Sequence, residues 1–342
     1  MRIYRGPKAQ RPAVIGSLAP MRIPVSIVIA PLLAAACSGS SGPASPTPVN
    51  REVTFTAFLD ENRNGVLDPS ELIRIPGAEI SFGPAVGRSA APTGEVRLVV
   101  LQSAQPLSIA PSSLPPYYRG PEGSVVTPPA DGLVPVPVTL PLGAGAVASV
   151  FLAFGDSITN GQAGVGDGQG YTGLLERRLA AYFGRARVIN DGIDSSNSER
   201  GESRLADSLA SGRPAFTLIL YGTNDWADSR CGEPPCFTID NLRSMVRKVK
   251  AQGGFPFVGT LLMTNVGNDF RASPQRNAWI AAQNEFIRGM AAEEDAVLVD
   301  LHLAFERSPL PYSELFADYI HPSAAGYGVL AEAWFDAITK RR

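Results

Sequence analysis

From about residue 146 to the last residues, branched apolar runs alternate with stretches of helical period. The order is AVASVFLAF, a helix in YTGLLERRLAAYF, then ARVIN, AFTLILYG, a helix near NLRSMVRKVKAQ, FPFVGTLLM, a long helix at 273–292, AVLVDL, and a last helix from Pro322 to Thr339. Two parallel strands can be joined only by a crossover, and a helix is its usual form, so this order predicts an α/β fold whose parallel sheet is covered by helices on both faces. In such sheets ligands bind beyond the carboxyl ends of the strands. The residues that follow each apolar run are therefore the ones to search for chemistry.

Four of those positions carry it. The first strand ends in FGDSITNG, which places Ser157 in a turn between Gly155 and Gly161. Taken alone, an Asp-Ser pair after a strand favours the cap of the next helix over a nucleophile, and G-x-S-x-G is not matched. The strand ARVIN runs into Asn190-Asp191-Gly192, AFTLILYG runs into Gly222-Thr223-Asn224-Asp225, and the last helix is preceded by Asp318-Tyr319-Ile320-His321. The whole chain has only 2 histidines, His302 and His321, too far apart for an H-E-x-x-H zinc pair, and its 3 cysteines cannot build a zinc ribbon. A histidine-dependent reaction must use one of those two. His302, at the end of VDL, reads as a structural histidine.

In these four blocks, taken in order, the chain resembles the SGNH hydrolases, the GDSL-like esterases and lipases. The resemblance implies a flavodoxin-like three-layer domain over 146–342. It implies hydrolysis of carboxylic esters through an acyl-enzyme on Ser157, with His321 as general base, Asp318 orienting the imidazole, and no cofactor for catalysis. The oxyanion hole would consist of the Ser157 N–H, the Gly192 N–H and the Asn224 amide. Ser195 stands where many members have a further glycine. Family activities include deacetylation of polysaccharides, short-acyl esterase action and lysophospholipase or lipase-type hydrolysis, so the expected partner is a glycan acetyl ester or a lipid. The rival reading is a non-catalytic, calcium-stabilised surface binding protein; a complete set of catalytic residues argues against it.

Residues 51–145 contain apolar runs at 52–59, 78–82, 95–101 and 133–140, separated by Gly and Pro clusters with no helical period between them, which predicts a small all-β sandwich. Its sharpest feature is DENRNGVLDPSE. Asp60, Asn62, Asn64, Gly65, Asp68 and Glu71, with the Val66 carbonyl, fit a calcium loop. A strand precedes the loop, and the segment resembles the B-type repeat domains of bacterial surface adhesins. The alternative is an Asx-rich hairpin without metal.

Residues 1–36 read as a signal peptide, with Met21 as an alternative start. MRIPVSIVIAPLLAAAC has a basic residue, an apolar stretch too short to span a bilayer, and small residues before Cys37. It resembles a bacterial lipoprotein signal, with Ala34 where Leu is usual, and implies lipidation at Cys37 and a membrane anchor; simple secretion is the alternative. Either way the location is extracytoplasmic. Residues 37–50 read as a flexible tether. In an oxidising compartment Cys231 and Cys236 could close a disulfide, the alternative being two free thiols. The formal net charge of −2, with all five basic groups of residues 1–50 unaccompanied by any acid, gives no sign of a nucleic-acid partner. The stretch 161–170 reads as a mobile rim, and NLRSMVRKVK as a solvated basic face.

Overall fold

The computed structural model describes residues 49–121, 123–161, 170–267 and 271–340. The signal segment 1–36, Cys37, nearly all of the tether and most of the 161–170 stretch lie outside them.

Two small sheets come first. Strand β1 (Asn50–Leu59) pairs antiparallel with β4 (Glu95–Leu101) and parallel with β7 (Leu133–Val138). The second sheet has the order β3 (Ala85–Arg88), β2 (Glu79–Phe82), β5 (Gln105–Ile109) and β6 (Ser124–Val126). Alternation along β4 buries Leu98 and Val100 and exposes Val99, as a half-buried strand requires. The two sheets meet where the Phe55 ring lies 5.1 Å from that of Phe82. Strands β3, β5 and β6 escape the sequence reading because they are short and carry no apolar run; Pro106 and Ser108 interrupt β5.

The α/β part begins with β8 (Val147–Gly155), which is buried over its last eight residues. Helices α1 (Ser157–Asn160) and α2 (Tyr171–Phe183) follow, then β9 (Arg187–Gly192), α3 (Ser198–Gly212) and β10 (Pro214–Leu220). The chain continues through α4 (Cys236–Ala251), β11 (Phe255–Gly259), α5 (Pro274–Glu293), β12 (Val297–Val299), α6 (Leu301–Glu306) and α7 (Ala324–Thr339). The sheet order is β12-β11-β10-β8-β9 and every pairing is parallel. This is the flavodoxin-like arrangement, in which strand order reverses between β8 and β10 and opens a crevice there. Phe151 and Ala153 of β8 pack with residues of α2 and α7. Leu152 and Phe154 turn the other way onto α3, α4 and α5. Three layers result from this two-sided burial.

His302 lies in α6 rather than at a strand end, because Asp300 caps that helix and stops β12 at Val299. The cations of NLRSMVRKVK are not simply solvated: Arg243 and Arg247 lie 3.0 and 2.6 Å from the Glu294 carboxylate, and Lys248 lies 2.5 Å from that of Glu202.

The sandwich rests on the amino-terminal edge of the parallel sheet. Tyr117 stacks on Phe255 at 4.2 Å, and Tyr118 lies 6.3 Å from both Phe183 and Phe216. The Gly143 N–H donates to the Gly253 carbonyl (2.9 Å), and the Tyr182 hydroxyl to that of Pro76 (3.0 Å). One apolar cluster therefore runs from the sandwich into the α2/α7 face of the sheet. The carboxyl edge is left to the site.

Candidate active site

The turn after β8 shows why Ser157 is presented as it is. Asp156 sits in extended backbone and accepts the Ile158 N–H through Oδ1 (2.9 Å), so it caps α1. Both readings of the motif hold together: Asp156 is the cap, and Ser157 is the first helical residue. Gly155 can only be glycine, since an added Cβ would stand 2.1 Å from Thr159 Oγ1 and 2.6 Å from the Leu220 carbonyl oxygen.

His321 arrives on the loop before α7. Its Nε2 lies 2.9 Å from Ser157 Oγ, and its Nδ1 lies 2.7 Å from Asp318 Oδ2. The other Asp318 oxygen accepts the backbone N–H groups of Ile320 (2.8 Å) and His321 (2.7 Å). Burial alone would raise the Asp318 pKa, but hydrogen bonds from the His321 ring and from these two N–H groups outweigh it and hold the carboxyl below its usual range. An ionised Asp318 fixes the Nδ1–H tautomer, leaving Nε2 free to take the Ser157 proton. The three side chains stand in the order that a nucleophile, a base and an orienting group require.

The expected oxyanion donors flank the same point. Gly192 ends β9 so close to the Ser157 turn that a Cβ would lie 2.2 Å from the Asn160 nitrogen. Its N–H donates to Asn190 Oδ1 (3.1 Å), a contact an acyl oxygen would have to replace. Asn224 follows β10, across the switch point. Its amide donates to the Ser196 carbonyl (3.0 Å) and reaches Asp156 Oδ2 at 3.5 Å. That long second contact is the one available for exchange with a developing oxyanion. Ser195 has φ of +56°, the left-handed region where glycine costs nothing.

Several contacts that hold this geometry escape the sequence reading, because only the fold brings their partners near. Burial pushes the Asp156 carboxyl up to about 7. Arg204, on α3, donates to Asp191 Oδ1 and to the Asp191 carbonyl oxygen (both 2.6 Å), to the Tyr221 hydroxyl (2.7 Å) and to the Gly155 carbonyl (3.3 Å). Its guanidinium thus ties the ends of β8, β9 and β10, the strands that deliver Ser157, Gly192 and Asn224. Asp225 is fully buried; it accepts the Ser198 N–H (2.8 Å) and the Thr238 hydroxyl (2.6 Å), and burial raises its pKa. Cys231 and Cys236 form a disulfide, and both sulfurs contact the Thr238 hydroxyl.

The other residues singled out in the sequence lie apart. His302 Nε2 is 3.3 Å from the Glu306 carboxylate. In the loop at Asp60–Glu71, Asp60 accepts the N–H groups of Asn64 (3.1 Å) and Gly65 (2.9 Å). Glu71 accepts those of Glu61 (2.9 Å) and Asp68 (3.0 Å), while the Asn62 and Asn64 amides donate to Asp68 Oδ2 at 2.7 and 2.9 Å. Among the described residues no group of three or more His, Cys, Asp or Glu side chains is drawn together as a metal cluster. A cavity of 640 Å³ lined by Tyr117, Arg119, Phe255, Asp295 and Lys340 sits where the sandwich meets the sheet, at the end away from Ser157.

Comparison with known proteins agrees with the blocks. The model of the GDSL-like Lipase/Acylhydrolase family matches residues 153–329. Esterase TesA of Pseudomonas aeruginosa is 32% identical over 188 residues, covering 55% of this chain and 86% of that protein. An acetylxylan esterase of Geobacillus stearothermophilus is 28% identical over 210 residues, covering 55% of this chain and 92% of its own length. A crystal structure of the acetylxylan esterase Axe2 from that organism covers 58% of this chain and 97% of its own at 23% identity, with a TM-score of 0.47. A chain whose family match spans Ser157, Gly192, Asn224, Asp318 and His321 belongs to the GDSL-like lipase/acylhydrolase family and is a serine ester hydrolase.

Proposed function

We propose that the protein is an exported serine esterase that removes short acyl groups, acetyl above all, from a polysaccharide. The observation that carries ester hydrolysis is the unbroken relay from Asp318 through His321 to Ser157, with contacts of 2.7 and 2.9 Å. In the first step Ser157 Oγ attacks the ester carbonyl while His321 Nε2 takes its proton. The charge that forms on the acyl oxygen falls to the Ser157 N–H, the Gly192 N–H and the Asn224 amide, and collapse expels the alcohol with the proton from His321. Water then repeats the sequence on the acyl-enzyme and releases the acid.

Support for a glycan ester comes from the similarity to an acetylxylan esterase and from the added β-sandwich, which suits an envelope-facing protein better than a free cytoplasmic enzyme. Export rests on the segment from Met21 to Cys37, and lipidation of Cys37 would hold the enzyme at a membrane. A panel of esters from acetyl to long acyl, with acetylated oligosaccharides included and Ser157→Ala as control, tests the substrate. Highest kcat/KM on acetylated glycans supports the reading; preference for long acyl chains or lysophospholipids replaces it with the lipase-type alternative. Terminal sequencing of the membrane fraction tests the anchor, which requires a mature chain that starts at modified Cys37.

A further inference from the structure

The loop that carries Asn224 and the loop that carries Asp318 and His321 come from distant parts of the chain, and one side chain spans them. Arg276 stands in the first turn of α5, where its N–H is capped by Ser273 Oγ (3.1 Å). The residue is only 7% exposed. Its Nη2 donates to the carbonyl oxygen of Thr223 (3.0 Å), the residue before Asn224. Its guanidinium carbon lies 5.7 Å from the centre of the Tyr319 ring, within cation–π range, and Tyr319 lies between Asp318 and His321. The same turn of α5 is itself held firmly. Asn277 accepts from both the N–H and the hydroxyl of Thr264 (2.7 Å each) and donates to the Thr264 carbonyl (3.0 Å), and the next residue, Asn265, donates its N–H to the Tyr319 carbonyl (2.8 Å).

Stability does not explain a guanidinium in this place. Among the described residues its acceptors are the neutral Thr223 carbonyl and the Tyr319 hydroxyl, its Nε finds none, and burial pushes its pKa down. A buried cation with an idle donor is unfavourable, and an apolar side chain of similar length would fill the same space without that cost. What the group does provide is contact with both loops at once.

We propose that Arg276 is a positioning residue for ester hydrolysis, bracing the Thr223–Asn224 turn against Tyr319 so that the oxyanion donor and the Asp318–His321 pair keep one spacing around Ser157. Arg276 makes and breaks no bond in the reaction. Its effect falls on the tetrahedral intermediate, where the spacing of donors and base matters most, and hardly on the bound ester. The inference rests on the roles given to Ser157, Asn224 and His321.

The test compares R276M and R276K with wild type for kcat, KM, affinity for phenylboronic acid, which adds to a reactive serine as a tetrahedral mimic, and melting temperature. R276M is expected to melt at or above the wild-type temperature while kcat falls about 10-fold to 100-fold, KM changes less than about threefold, and boronate affinity falls with kcat/KM. R276K keeps a donor for Thr223 but lacks the planar face for Tyr319, so it should recover part of the loss. Wild-type kcat and boronate affinity in R276M would overturn the brace, as would a fall in melting temperature that accounts for the lost activity and is not relieved in R276K. Failure of the site itself looks different: S157A would then turn over like wild type, which overturns the brace together with the site it serves.

Discussion

Ser157 is an ordinary alcohol, and in the proposed mechanism its reactivity is lent to it by neighbours. Because His321 Nε2 stands 2.9 Å away and Asp318 holds the far side of the ring, Ser157→Ala or His321→Ala should lower kcat by about 10⁴ to 10⁶, and Asn224→Ala by about 10² to 10³. His302→Ala, whose ring faces Glu306, should leave kcat close to wild type. Steady-state kinetics on a soluble acetyl ester decides each; near wild-type turnover in Ser157→Ala would sink the acyl-enzyme. Asp156 offers a second measurement. Its carboxyl is raised from 3.8 to about 7 by burial, so between those values the folded protein holds a proton that the unfolded chain releases. Folding stability contributed by this group is therefore greatest at acid pH and declines as pH rises towards 7. Asn keeps the cap to the Ile158 N–H and carries no charge, so Asp156→Asn should gain about 3 kcal/mol on wild type when denaturant melts at pH 5 and pH 8 are compared. A pH-independent difference would show that Asp156 does not titrate in this range.

At the scale of elements, the site is assembled from the ends of β8, β9 and β10 and from the loop before α7. Each end was visible as Gly, Asn, Asp and Ser following an apolar run, since strands with both faces buried leave polar residues only at their ends. The clamps across those ends were not visible. Arg204 comes from SERGESRLADSLASG, the helix α3 that the sequence order given above does not include because the stretch is mostly polar, and nothing in its spacing says that it meets Asp191, Gly155 and Tyr221. The calcium loop shows the converse. Its ligand pattern is complete in the sequence, yet the Asn62 and Asn64 amides point protons at Asp68 and the carboxylates are occupied by the loop's own N–H groups. For calcium to be held there, as we propose, both amides must turn their oxygens inward. Calorimetry in millimolar calcium should then show the melt shifted upward, by about 2.7 kcal/mol of added stability at a hundredfold excess over Kd, with ester turnover unchanged. A melt indifferent to both calcium and chelator means that the loop is a self-capped Asx hairpin.

At the scale of the whole molecule, the sandwich and the parallel sheet share an apolar junction. Tyr118 is 3% exposed and lies between the rings of Phe183 and Phe216. Tyr118→Ala should cost about 3 to 5 kcal/mol and lower the melting temperature of the esterase activity as well as that of the β signal. Two separate transitions, with activity lost only in the unshifted one, would mean that the sandwich is a passenger. The parallel α/β class, the sandwich and the blocks that carry Ser157, Gly192, Asn224, Asp318 and His321 were legible in the chain itself, because periodicity reports which faces are buried and because these residues sit in short local motifs. Only tertiary structure decided that Asp156 touches Asn224, that Arg204 and Arg276 tie loops of different origin, and that the sandwich covers the amino edge of the sheet. Those contacts join residues tens to more than a hundred positions apart, and hydrophobic pattern fixes the faces of each element without stating which distant element will meet them.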